Sequence, residues 1–203
     1  MIVKLIIVSL ICYFIGCINP SYVYCRLFKR IDIRDLGSGN AGSTNTLRMF
    51  GPKAGIIVFI ADVLKGVVAM LIATLLADSS ELVMIFGAVS TVIGHNWPII
   101  LGGRGGKGIA TSTGIFFYMN WSVTLVVLII VFIIIFSTKY VSIGSLSGLV
   151  CSPFCFYFTG GEPYQVIIAS IFGAMAVYQH RSNIKNLCTG NEKKVNFRKG
   201  ERQ

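Results

Sequence analysis

Residues 109–137 run for 29 positions without a charged side chain. A straight helix needs about 20 apolar residues to cross a bilayer core. The stretch is therefore either one long tilted helix or two short ones, about 109–119 and 122–137. In the second case Tyr118–Met119–Asn120–Trp121 forms a turn at the membrane interface. Further apolar runs lie at about 2–24, 54–77, 82–97, 140–158 and 164–178. Such a chain is expected to be all-α, because a spanning segment must satisfy its backbone hydrogen bonds internally. Composition agrees. Of the 203 residues 54% are hydrophobic and only 13% are charged, too few to coat a soluble core.

Charge placement sets the topology. The formal net charge is +10, yet no nucleic-acid-binding pattern surrounds the basic residues, so no nucleic-acid partner is expected. Seven spans with the N-terminus outside and the C-terminus cytoplasmic give outer loops at 78–81, 119–121 and 159–163, none with Lys or Arg. Sixteen of the 18 basic residues then fall inside; Lys4 lies near the outer end and Lys65 within a span. That is the positive-inside pattern. The N-terminal run lacks a basic leader and a small-residue cleavage site, so it reads as a retained span. Cys12, Cys17, Cys25, Cys151, Cys155 and Cys188 imply no disulfide framework. Asp62 and Lys65, three apart in the second span, read as an internal ion pair of structural value.

Three cytoplasmic segments concentrate polar chemistry: 25–53, 94–111 and 178–192. The first contains Gly37, Ser38, Gly39, Asn40, Gly42, Thr44 and Asn45, followed by Arg48. Exposed backbone N–H groups and small hydroxyls suit anions, and Arg48 adds a planar donor fork. The second holds His95 and then Gly102, Gly103, Arg104, Gly105, Gly106, Lys107 and Gly108 ahead of an apolar helix. Close backbone approach plus a lysine charge resembles phosphate-loop physics, but Gly108 after Lys107 departs from the nucleotide-hydrolase pattern. The third carries His180, Arg181, Asn183 and Glu192 at the exit of the last span. Acidic and Cys/His spacings suit neither Mg²⁺ nor zinc, so no metal and no cofactor is expected. Metal-free transfer from a phosphate leaving group to a hydroxyl fits the three segments. A small transporter of phosphorylated solutes is the competing reading.

The order GSGNAGSTN, GHNWP…GGRGGKG and HRSNIKNLCTGNE resembles the bacterial acyl-phosphate-dependent glycerol-3-phosphate acyltransferase family. The likeness spans essentially the whole chain. It departs at Ala41 and Ser43, where many members have Pro and Ala, and at Arg104. The resemblance implies transfer of an acyl group from acyl phosphate to the 1-hydroxyl of glycerol 3-phosphate. Lysophosphatidic acid and inorganic phosphate are then the products, at the bacterial inner membrane. It implies catalytic roles for Ser38, Arg48, Lys107, His180 and Asn183, and a supporting role for Glu192. The other polar residues of the three segments would contact substrate. The basic tail 193–203 is expected to lie mobile near anionic lipid, and the chain to work as a monomer.

Overall fold

The computed structural model describes residues 1–78 and 80–195. Among them nine α-helices occur and no strand: α1 Ile2–Cys17, α2 Pro20–Lys29, α3 Ser43–Ala77, α4 Glu81–Asn96, α5 Ile109–Met119, α6 Trp121–Thr138, α7 Val141–Phe158, α8 Pro163–Gln179 and α9 Arg181–Cys188. Five segments are long and apolar enough to cross a membrane: Ile2–Lys29, Ser43–Ala77, Glu81–Leu101, Trp121–Thr138 and Val141–Phe158. The helices α5, of 11 residues, and α8, of 17, are shorter.

The long apolar run is two helices. Asn120 separates them, its side chain accepting the Val123 N–H at 3.2 Å and so capping α6. Two other boundaries differ from the expected ones. The first run breaks after Cys17, and α2 starts at Pro20 with Asn19 as its cap, accepting from Tyr22 N at 2.9 Å. Proline lacks an N–H and pushes the residue before it out of helical geometry. The long arm of the second span begins at Pro52, near the expected 54, but a further helical arm precedes it. Its helix begins at Ser43 and bends at Gly51, whose φ of 85° and ψ of 176° suit only glycine, with Pro52 starting the next turn. A β carbon on Gly55 would press on the Leu47 side chain, so a second glycine lets the two arms of α3 fold tightly.

The chain divides into two compact units, Met1–Ile115 and Phe116–Val195. In the first, α1 packs on α4, and α3 on both. Glycines set the contacts: a β carbon on Gly16 would overlap the Thr91 carbonyl, and one on Gly94 the Tyr13 carbonyl. Small residues let helix backbones approach closely where lipid offers no hydrophobic drive. Val8, Cys12, Ala69, Ala73, Ala77 and Val83 fill the space between them. In the second unit α7 packs on α6 and α8. Phe116 stacks near Phe156 and Phe172, with ring centroids at 5.2 and 5.7 Å.

Candidate functional site

The first loop is held by two side chains. Arg34 grips Asp32 through Nε at 3.0 Å and Nη2 at 2.7 Å, and donates Nη1 to the Leu101 carbonyl at 2.7 Å. The Arg34 guanidinium lowers the Asp32 carboxyl from its ordinary 3.8 to about 2. Asn45 braces the turn from inside. Its Oδ1 accepts from Ser38 N at 3.0 Å, and its Nδ2 donates to the carbonyls of Leu36 at 3.0 Å and Ile33 at 3.3 Å. Asn45, expected as a substrate contact, here braces the loop, its amide bonded to backbone groups. Gly37, at φ +60°, lies directly against it. This leaves Ser38 and Gly39 exposed at the tip, with Asn40 half-buried beside them. The chain then enters α3 at Gly42, its N-cap. Thr44 and Arg48, one turn apart and half-buried, stand on the short arm before the bend. The Arg48 side chain makes no hydrogen bond or ion pair among the described residues.

The second loop folds back over the end of α4. Gly102 N donates to Ile99 O at 3.1 Å, Gly103 N to Pro98 O at 3.0 Å, Gly105 N to Asn96 O at 3.2 Å and Gly106 N to His95 O at 3.0 Å. These glycines were expected to contact an anion; their four amides are used by the loop itself, which turns back on the end of α4. The donors left for a ligand lie further on. The first intrahelical bond of α5 is Ser112 N to Gly108 O at 2.8 Å, so the amides of Ile109, Ala110 and Thr111 precede it. Lys107 is half-buried at this helix start, whereas Arg104 is exposed. Gly108 has a φ of +82°, and a β carbon there would sit 2.9 Å from Asn96 Oδ1.

The two loops are stitched together. Gly105 O accepts from Ala41 N at 3.3 Å and from Asn40 Nδ2 at 3.4 Å. Asn19 Nδ2 secures the Ala41 carbonyl at 2.9 Å. Two helix N-termini, of α3 and α5, therefore follow directly on one hydrogen-bonded junction. Helix N-termini with glycine-rich approaches favour anions through unpaired amides and the helix dipole.

Beneath the junction lies a buried charged cluster. Lys65 Nζ is 2.8 Å from Asp62 Oδ1 and 2.7 Å from His95 Nδ1, and donates to Gly16 O at 3.1 Å and Ile18 O at 2.7 Å. The expected ion pair is present, with His95 as an unforeseen third member. His95, expected as a substrate contact, is 3% exposed and points into this cluster. Sequence reasoning also missed Asn19 and Arg34 as loop anchors. The Asn19–Pro20 helix-start signal pointed to the first; nothing local pointed to the second.

The second unit carries the third segment. His180, 2% exposed, follows α8, and its Nδ1 is 2.9 Å from the Ala176 carbonyl. A carbonyl only accepts, so Nδ1 donates this bond, and Nε2 is the ring's other nitrogen. Asn183 Nδ2 and Ser142 Oγ both donate to Glu192 Oε1 at 2.7 Å. Arg181 is exposed; it donates Nη1 to Tyr178 O at 3.0 Å and lies over the Tyr178 ring at 4.5 Å. The basic tail is anchored at its start. Val195 N donates to Lys139 O at 2.9 Å, and Lys194 lies over the Tyr140 ring. The remainder, 196–203, falls outside the described residues.

Comparison with known proteins adds to this geometry. The family model described as Glycerol-3-phosphate acyltransferase matches residues 6–190. A glycerol-3-phosphate acyltransferase of Clostridioides difficile (strain 630) is 42% identical over 198 residues, covering 96% of this chain and 97% of that one. One from Thermoanaerobacter sp. (strain X514) is 44% identical over 190 residues, covering 94% and 95%. The crystal structure of PlsY, an integral membrane glycerol 3-phosphate acyltransferase, in its glycerol 3-phosphate form, superposes with a TM-score of 0.88 at 33% identity. It covers 95% of this chain and 96% of that one. The lysophosphatidic acid form of the same enzyme gives a TM-score of 0.86 at 32% identity.

Proposed function

The chain belongs to the glycerol-3-phosphate acyltransferase family, and on that premise we propose that its acyl donor is an acyl phosphate and its acceptor the sn-1 hydroxyl of glycerol 3-phosphate. The observation that carries this reading is the junction of Ala41 with Gly105, which puts two glycine-flanked helix N-termini in one unit. Both substrates of such a reaction carry a phosphate. Arg48 and Lys107 supply the positive charge, and the leading amides of α5 supply oriented donors.

The glycerol hydroxyl oxygen attacks the acyl carbonyl carbon. Negative charge develops on the carbonyl oxygen, where fixed donors stabilise it. The carbon–oxygen bond to phosphate then breaks, and inorganic phosphate departs with the bonding pair. The hydroxyl proton passes to a base. His180 with its Nε2 unprotonated would suit that role, and a phosphate oxygen of the substrate competes for it equally. Ser38 acts as a hydrogen-bond partner. An acyl phosphate already has a good leaving group, so no covalent enzyme intermediate is required. Asn183 takes part in handling glycerol 3-phosphate, with Glu192 supporting it.

The accompanying topology is seven spans, N-terminus outside, with the loops on the cytoplasmic side of the bacterial inner membrane and the monomer as the working unit. A cysteine at position 104, in a background lacking Cys151 and Cys188, then reacts with an impermeant reagent only after the cells are opened.

The direct test incubates purified protein with labelled glycerol 3-phosphate and either long-chain acyl phosphate or acyl-CoA. Lysophosphatidic acid with acyl phosphate alone, lost in Ser38→Ala, supports the assignment. Product from acyl-CoA alone overturns the donor. No product from either donor in folded, lipid-supplemented protein overturns the reaction.

A further inference from the structure

Hydrogen bonds in the first unit form a closed circuit. Lys65 donates to the Ile18 carbonyl. The next residue, Asn19, donates to Ala41 O, and Ala41 N donates to Gly105 O. Gly106 N, one position on, donates to His95 O, and His95 Nδ1 returns to Lys65. Asp62 closes the centre, 2.8 Å from Lys65 and 3.2 Å from His95. The circuit passes through the first loop at Ala41 and through the second at Gly105 and Gly106.

We propose that Asp62, Lys65 and His95 are positioning residues for the reaction, setting the relative register of the two anion-binding loops. Three observations support this. The cluster is connected to both loops: Lys65 holds the Ile18 carbonyl beside Asn19, which anchors Ala41, and the His95 carbonyl takes the Gly106 N–H. Its members are almost fully buried, at 1%, 8% and 3% exposure, so they act through the backbone they hold. The His95 ring also abuts the second loop: a β carbon on Gly106 would overlap His95 Nε2. An ion pair taken out of solvent is a poor source of stability, and apolar side chains fill such a space at lower electrostatic cost. What apolar side chains lack is a set of donors that reaches two elements at once. Lys65 points one donor at the end of α1, which leads to the first loop. It points another at His95, which leads to the second.

This inference rests on the acyl-phosphate reading, and the experiment separates the two. Steady-state kinetics are compared for wild type, His95→Ala, His95→Asn and Asp62→Leu/Lys65→Met, with thermal unfolding followed in parallel. A misplaced loop weakens the grip on anionic substrate, so His95→Ala is expected to raise KM for glycerol 3-phosphate by about tenfold or more. Asn keeps an acceptor near the Nδ1 position, so His95→Asn is expected to regain most of that loss. A cluster that serves stability alone lowers the active fraction, seen as a reduced apparent kcat with KM unchanged, and that result overturns the proposal. Where His95→Ala does not fold, the double variant is read the same way: a raised KM supports positioning and an unchanged KM overturns it. Failure of both to fold assigns the cluster to stability and also overturns it. An inactive wild type sinks the reaction assignment instead.

Discussion

Asn183 donates its amide Nδ2 to Oε1 of Glu192 at 2.7 Å, across nine positions of sequence. The same oxygen takes the Ser142 hydroxyl at the start of α7. A negative carboxylate is favoured at a helix N-terminus, and here it also fixes which way the Asn183 amide faces.

Removing that carboxylate is expected to disable Asn183 without touching it. Glu192→Ala and Asn183→Ala should each lower kcat/KM by roughly 10–100-fold, the equivalent of about 1–3 kcal/mol. The double variant should lose little more than either single one, because both belong to one device. Full additivity in the acyltransfer assay would separate the two residues.

Arg48 is expected to depend on its shape as well as its charge. A guanidinium presents a planar fork to phosphate, whereas lysine is a point charge on a flexible stem. Arg48→Lys should therefore lose at least about tenfold in kcat/KM, a difference of about 1.4 kcal/mol. Retention of wild-type kinetics in Arg48→Lys would show that charge alone is needed.

The bend in α3 makes a separate stability prediction. Gly51 sits at φ 85°, where a β carbon is strained although nothing crowds it from outside. Gly51→Ala is expected to cost about 1–3 kcal/mol. It should lower the melting temperature in detergent and move Arg48 relative to the long arm of α3. An unchanged melting temperature would mean that the bend is easily redrawn.

Asp32 gives the first loop a pH dependence of known sign. Its folded pKa of about 2 lies below the ordinary 3.8. The Arg34 contact therefore stabilises the fold fully above about pH 4, and the contribution is lost as pH falls through the folded value. The pair is partly open to solvent, so about 1 kcal/mol is expected. The melting temperature of wild type should exceed that of Asp32→Asn by a constant margin from about pH 5 to 8. The margin should close as pH approaches about 2. A margin that persists there would assign the effect to something other than the charge.

The apolar runs were enough to fix an all-helical chain, and the glycine clusters were enough to mark its polar segments. Asn120 illustrates where that reading stopped. Periodicity left one helix or two open across 109–137, and a single side-chain cap on Val123 N–H decides it. Nor did the pattern show that Ser43 to Phe50, ahead of Gly51–Pro52, is helical, which moved Thr44 and Arg48 from a loop onto a helix.

What sequence determined by itself was the identity and order of the chemical groups: Ser38, Arg48, Lys107, His180 and Asn183 stand in their motifs whatever the chain does around them. Only the tertiary structure decided which donors remain for a ligand. The amides of Gly105 and Gly106 are used by Asn96 and His95. Asn45 turns its side chain to the backbone of its own loop. Lys65 finds partners at Gly16, Ile18 and His95, residues 49, 47 and 30 positions away. Hydrogen bonds at such separations follow from how α1, α3 and α4 pack. A buried polar group takes whichever partner that packing brings within about 3 Å, and local pattern carries no record of it.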